Sequence, residues 1–154
     1  MHLCSATHDT REGGPGLDPR IVRFLKSQDH CRVATIDSFG FPHCVPVGFW
    51  FSGSLVYIPT NSMSVKARNL RREDKCCVIV DAYEKGKGRG VMLQGSGKLA
   101  TGKQFLHARS LVERSTGWKL KRWRVGPPGK ERVDTIIVFK PAKTVAIGLQ
   151  TDTA

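Results

Sequence analysis

Residues 55–70, LVYIPTNSMSVKARNL, begin as a strand and end as a helix. Leu55 to Ile58 are apolar or aromatic, and Pro59 then removes a ladder donor. From Val65 the pattern turns helical, with Val65 and Leu70 expected inward and the arginines outward. Between the two, Thr60, Asn61, Ser62 and Ser64 crowd the helix start, with Lys66 in its first turn. Helix N-terminal amides are unpaired and partly positive, so this junction favours an anion, with hydroxyls as donors and a lysine as charge. The plainer reading is that Asn61 or Ser62 caps the helix while Lys66 faces solvent. No Gly-x4-Gly-Lys-Ser/Thr loop is present, nor a Gly-x-Gly-x-x-Gly after a strand.

Upstream, LDPRIVRFLKSQ from Leu17 predicts a short amphipathic helix, with Asp18 as cap and Pro19 at its first position. CRVATID and FPHCVPVGFWF read as a hairpin around SFG; Pro42 and Pro46 push the second strand toward an edge, a bulge or an end. SGS is a further tight turn before residue 55. Downstream, KCCVIVDAY reads as a strand buried on both faces, EKGKGRG as a basic hairpin loop and VMLQGSGKLAT as its return. KQFLHARSLVERS is a helix, and GWKLKRWRVGPPGKE is irregular and basic. RVDTIIVFK and KTVAIGLQ read as two last strands joined through Pro141. Hairpins dominate over βαβ units, so the expected fold is mostly β, an antiparallel barrel with flanking helices.

The chain has 154 residues and a formal net charge of +12. That length suits one domain, read as residues 17–150 behind a disordered leader at 1–16. The leader lacks the apolar core of a secretory signal, and the sequence holds no run of about 18 apolar residues that would span a membrane. Cysteines at 4, 31, 44, 76 and 77 are odd in number and lack CxxC spacing, so free thiols in a reducing cytoplasm are expected and a metal site is not. His43 and Cys44 adjoin, but on a strand they point to opposite faces. The basic surface fits an anionic partner: a phosphorylated small molecule, a membrane surface or nucleic acid. Against nucleic acid, Arg89 and Val91 in KGKGRGVML stand where stacking aromatics would be needed. No Gly-x-Ser-x-Gly elbow supports a hydrolase.

The run YIPTNSMSVKARNL resembles the flavin-phosphate segment of the pyridoxamine 5′-phosphate oxidase superfamily. There a strand ends in Thr-Asn and a Ser-Arg-Lys triplet follows after two residues; here Thr60-Asn61 is followed at that spacing by Ser64-Val65-Lys66. RVATIDSFGFPHCVPVGFWF resembles the family's first hairpin with its Gly-x-Pro turn, and NLRREDKCCVIV and RGVMLQGSGKL resemble later strands. The likeness covers about residues 18–100. It implies an FMN-binding split β-barrel that forms a homodimer, with flavin mononucleotide in clefts at the interface. By the same resemblance, Thr60 and Ser64 donate to the phosphate or ribityl chain and Lys66 neutralises the phosphate. Asn61 follows Thr60 in the motif. Val45, Pro46 and Val47 line the ring, mainly through backbone.

The departures carry information too. Val65 replaces the triplet's arginine, which leaves Arg68 or a partner-chain residue as candidate replacement. Gly90 follows Arg89 where the oxidases have a glutamine, and their C-terminal Arg-Leu-His-x-Arg segment is absent. Pyridoxamine phosphate oxidation itself is therefore not expected. The expectation is a flavin-dependent oxidoreductase acting on an unidentified small molecule in the cytoplasm. One alternative keeps the fold and binds a deazaflavin coenzyme, its anionic tail received by Lys119, Lys121, Arg122, Arg124, Lys130 and Arg132; in the plainer reading that loop is solvated, with Trp118 and Trp123 packed at the dimer interface. A second alternative is a cofactor-free binding protein for an anionic partner such as nucleic acid. Relatives on this fold include haem binders, but no histidine here is tied to that role.

Overall fold

The computed structural model describes residues 9–10 and 17–149. Most of the expected leader, at 1–8 and 11–16, lies outside the described residues; Asp9–Thr10 form a short strand β1. Helix α1 (Pro19–Lys26) follows, capped by Asp18, whose carboxylate accepts from the Arg20 amide at 2.8 Å. The Arg20 guanidinium beside it holds that carboxyl below its ordinary value. Strands β2 (His30–Ile36), β3 (Pro42–Gly48), β4 (Trp50–Ser52) and β5 (Leu55–Thr60) come next. Then follow α2 (Val65–Arg72), β6 (Lys75–Glu84), β7 (Lys87–Ala100), α3 (Gly102–Thr116), a single 3-10 turn at Leu120–Arg122, and β8 (Thr135–Ile147).

Every pairing is antiparallel, and the strand order is β3-β2-β6-β7-β8-β5-β4, with β1 added to β8. The two edge strands, β3 and β4, are joined by the single residue Phe49. One residue cannot bridge opposite edges of an open sheet, so the sheet curls until they meet. Phe49 is itself 1% exposed and fills the barrel with Leu25, Val33, Val56, Ile58, Leu93 and Phe139. Each such side chain contributes roughly 2 kcal/mol by leaving water. Proline is tolerated in β3 because that strand is an edge.

Several expectations change. Residues 135–147 form one strand rather than two: the chain runs through Pro141, and the irregularity is a bulge, with Gln94 opposite Lys143 and Gly95 opposite Pro141. Strand β6 is not buried on both faces; Cys76, Val78 and Val80 are buried while Cys77 and Ile79 between them are half-buried. The hairpin after it is tighter than expected, with only Lys85 and Gly86 between the strands, both at positive φ. A second apolar layer lies outside the barrel, where Ala108 and Val112 of α3 pack with Leu120, Ala100 and Ile136. Trp118 and Trp123, 4.9 Å apart, join that layer within the chain.

Candidate cofactor site

The β5–α2 junction divides into groups already committed to the fold and groups left without a partner. Beyond Tyr57, β5 has no β4 neighbour, so Pro59 interrupts no pairing on that side. The chain then turns through Asn61, whose side chain is fully used: its Nδ2 donates to the carbonyls of Lys130 and Arg132 at 3.1 and 2.9 Å, and its Oδ1 accepts from the Met63 amide at 2.9 Å. Ser62 is equally spent, its amide and hydroxyl donating to the Asp134 carboxylate at 2.7 and 2.9 Å. Neither caps the helix. That role falls to Ser64, whose Oγ accepts from the Ala67 amide at 3.3 Å. Gly126 sits against Asn61 at φ +119, where an added Cβ would lie 2.6 Å from the Asn61 Cγ.

What remains are buried groups that the described residues do not fully satisfy. Thr60 is 0% exposed, and its Oγ1 has no hydrogen-bond partner among the described residues. Lys66 is 7% exposed and has no anionic partner among the described residues. Its burial lowers the ammonium pKa, because desolvation penalises the charged form. The side chain is thus largely covered rather than free in solvent. One turn further along α2, Asn69 donates to Thr35 Oγ1 at 3.0 Å and fixes the helix against β2. Thr35 stands opposite His43 in β3, and His43 Nδ1 is buried without a partner. Buried polar atoms are nearly always paired, so these two unpaired atoms, Thr60 Oγ1 and His43 Nδ1, stand out among the described residues.

The remaining expected residues fall as follows. Val65 is exposed, not inward, because the inward face of α2 is taken by Lys66, Ala67, Asn69 and Leu70. Arg68 is exposed, on a different face from Lys66. Val45 and Val47 pack their side chains toward the barrel core, while Pro46 points outward and is exposed. Lying on an edge strand, all three have backbone on the rim of the sheet, and β3 is in contact with β5. Arg89 is placed over the Phe24 ring, 5.6 Å from its centroid. The cations of 119–132 are all exposed. His43 escaped the sequence reading, since alternation gives its face but not its missing partner.

The set fits a nucleotide cofactor with a phosphate end: one buried cation, unused hydroxyl capacity and a helix N-terminus. Residues 17–144 match the family model for pyridoxamine 5′-phosphate oxidase. The chain belongs to that family. No match was found among curated protein sequences. Solved structures with this fold include the conserved hypothetical protein Rv2991 from Mycobacterium tuberculosis, 19% identical, with a TM-score of 0.67 and coverage of 92% of this chain and 91% of that one. The heme storage protein HutZ from Vibrio cholerae is 13% identical, with a TM-score of 0.65 and coverage of 86% and 96%. An F420 reductase is 17% identical, with a TM-score of 0.61 and coverage of 83% and 98%. At these identities the likeness is one of fold, and members of the fold serve different cofactors.

Among the described residues no cluster of three or more His, Cys, Asp or Glu is arranged to hold a metal ion. The described cysteines, Cys31, Cys44, Cys76 and Cys77, are free. Burial pushes the Cys31 and Cys76 thiols up to about 12, which leaves them protonated and poorly nucleophilic. No helix among the described residues is long and apolar enough to cross a membrane.

Proposed function

We propose that the protein is an FMN-binding flavoprotein oxidoreductase, acting on a small molecule as a cytoplasmic homodimer with the cofactor at the dimer interface. The observation that carries this reading is Lys66, buried with no ion-pair partner among the described residues, in the same β5–α2 junction as Thr60 with its unbonded hydroxyl. An uncompensated buried charge is costly, and a phosphate would remove that cost. In this reading the Lys66 ammonium and the hydroxyls of Thr60 and Ser64 hold the phosphate end. Ala67 and Arg68 already have amide partners at Ser64, which leaves the Val65 and Lys66 amides at the helix start for the same anion. Asn61 keeps the turn in place through its bonds to Lys130, Arg132 and Met63. Val45, Pro46 and Val47 offer the free edge of β3 to the ring. The bound flavin supplies hydride or electron transfer, and the protein supplies binding, orientation and exclusion of water.

A second reading exchanges flavin mononucleotide for a deazaflavin coenzyme. It is favoured by the six exposed cations between Lys119 and Arg132 and by the fold shared with an F420 reductase. Gentle purification, a visible absorption spectrum and the mass of any released chromophore separate the two. A two-banded yellow spectrum with the mass of flavin mononucleotide is the expected result. A single-banded chromophore with the mass of a deazaflavin selects the second reading. A colourless protein that binds neither added cofactor overturns both and leaves the cofactor-free, anion-binding alternative.

A further inference from the structure

Alternation along β5 gives its two faces different surroundings. Val56, Ile58 and Thr60 face the barrel side, whereas Tyr57 faces outward beneath α3. On that outer face Trp50, Tyr57, Val138 and Lys98 form one row across β4, β5, β8 and β7. Helix α3 seals Ala100 and Ile136 with the small side chain of Ala108 and with Val112, but leaves Tyr57 and Val138 half-buried. The result is a cavity of about 550 Å³, with Tyr57, Val138, Ala108 and Leu111 as its apolar floor and Lys98, Lys103 and His107 at its rim. No Asp or Glu lines it, and neither lysine has an ion-pair partner among the described residues. Its volume falls within the range of small-molecule sites, and an apolar floor with a few convergent polar groups is their usual make-up.

We infer that this cavity is a second ligand site, separate from the cofactor corner, for a small amphiphilic anion: an apolar body against Tyr57, Val138, Ala108 and Leu111, and one carboxylate, sulfonate or phosphate head between Lys98 and Lys103. The charge at the rim selects the head, because two cations without counterions attract an anion and disfavour a cation. The floor accepts an aromatic or branched aliphatic body through area burial alone. The inference does not depend on which cofactor, if any, occupies the corner at Lys66, since the two places lie on opposite faces of β5.

Calorimetric titration of the purified protein with naphthalene-2-sulfonate tests this. One molecule is expected to bind per chain with Kd below about 1 mM, and the neutral naphthalene-2-methanol at least about tenfold more weakly. Lys98→Glu/Lys103→Glu, which alters two exposed side chains, should melt like the wild type and weaken sulfonate binding at least about tenfold. Ala108→Phe should fill the cavity and abolish binding; if that variant fails to fold, the double lysine variant decides. Lys66→Met should bind the sulfonate as the wild type does. Absence of binding to the wild type, equal binding of the neutral analogue, affinity that survives the lysine reversal, or its loss in Lys66→Met would each overturn the inference.

Discussion

Thr60 and Thr135 stand opposite each other on paired strands, and both are 0% exposed. Thr135 Oγ1 donates to the Ala100 carbonyl at 2.8 Å, whereas Thr60 Oγ1 bonds to nothing. The same contrast recurs one turn apart on α2, where Asn69 is bonded to Thr35 and Lys66 has no partner. One side of the junction, built from Asn61, Ser62, Asp134 and Thr135, spends its polar groups on the fold. The other, built from Thr60, Lys66 and His43, keeps them unspent. Folding alone rewards only the first arrangement, and the proposed cofactor would account for the second.

The contrast yields effects of graded size. Asn61→Leu would leave the Lys130 and Arg132 carbonyls and the Met63 amide without their partner, for a loss of about 3 kcal/mol in denaturant unfolding. A variant of unchanged stability would show that the satisfied side is not what anchors the 124–134 loop. Gly126→Ala places a methyl group against Asn61 at a positive φ, and roughly 2 kcal/mol of destabilisation is expected in the same assay. Smaller still is the matched pair. Thr135→Val should cost about 1 kcal/mol through its lost bond to Ala100, while Thr60→Val, losing none, should leave the cofactor-free protein within about 0.5 kcal/mol of wild type. Equal costs for the two would erase the distinction between spent and unspent groups.

The smallest effect is in pH. Lysine in the unfolded chain keeps its proton to about its ordinary value of 10.5, whereas buried Lys66 releases it earlier. The unfolded state therefore binds more protons in the window between the lowered value and 10.5, and stability contributed by this group rises with pH there. Melting temperatures of the cofactor-free protein should show this upward contribution against Lys66→Met, which lacks it. Identical pH slopes would mean that Lys66 is not desolvated.

Much of the fold was legible because its signals are local. Asp18-Pro19 marked the first helix, the β2–β3 hairpin followed from its turn, and the prolines of β3 pointed to an edge, a bulge or an end, of which the edge is found. The final strand was misread as two because Pro141 looks like a break; the bulge at Gln94/Gly95 on the neighbouring strand absorbs it, and nothing near Pro141 in sequence reveals that. The corner was legible as residue types, and Thr60, Ser64 and Lys66 could be given roles through the family motif they resemble. Which hydroxyl caps and which amide ties a loop depend on residues about seventy positions away, at 130–134. Ser64 rather than Asn61 or Ser62 therefore emerged as the cap only once those contacts were in place. His43 needed the same long-range knowledge.

The most direct test is calorimetric titration of cofactor-free wild type and Lys66→Met with flavin mononucleotide, alongside thermal melting of both without ligand. The account predicts that Lys66→Met binds at least about tenfold more weakly yet melts higher, because an unpaired buried charge has been removed. Equal affinity with an unchanged or lower melting temperature would contradict it, and would return Lys66 to a structural role.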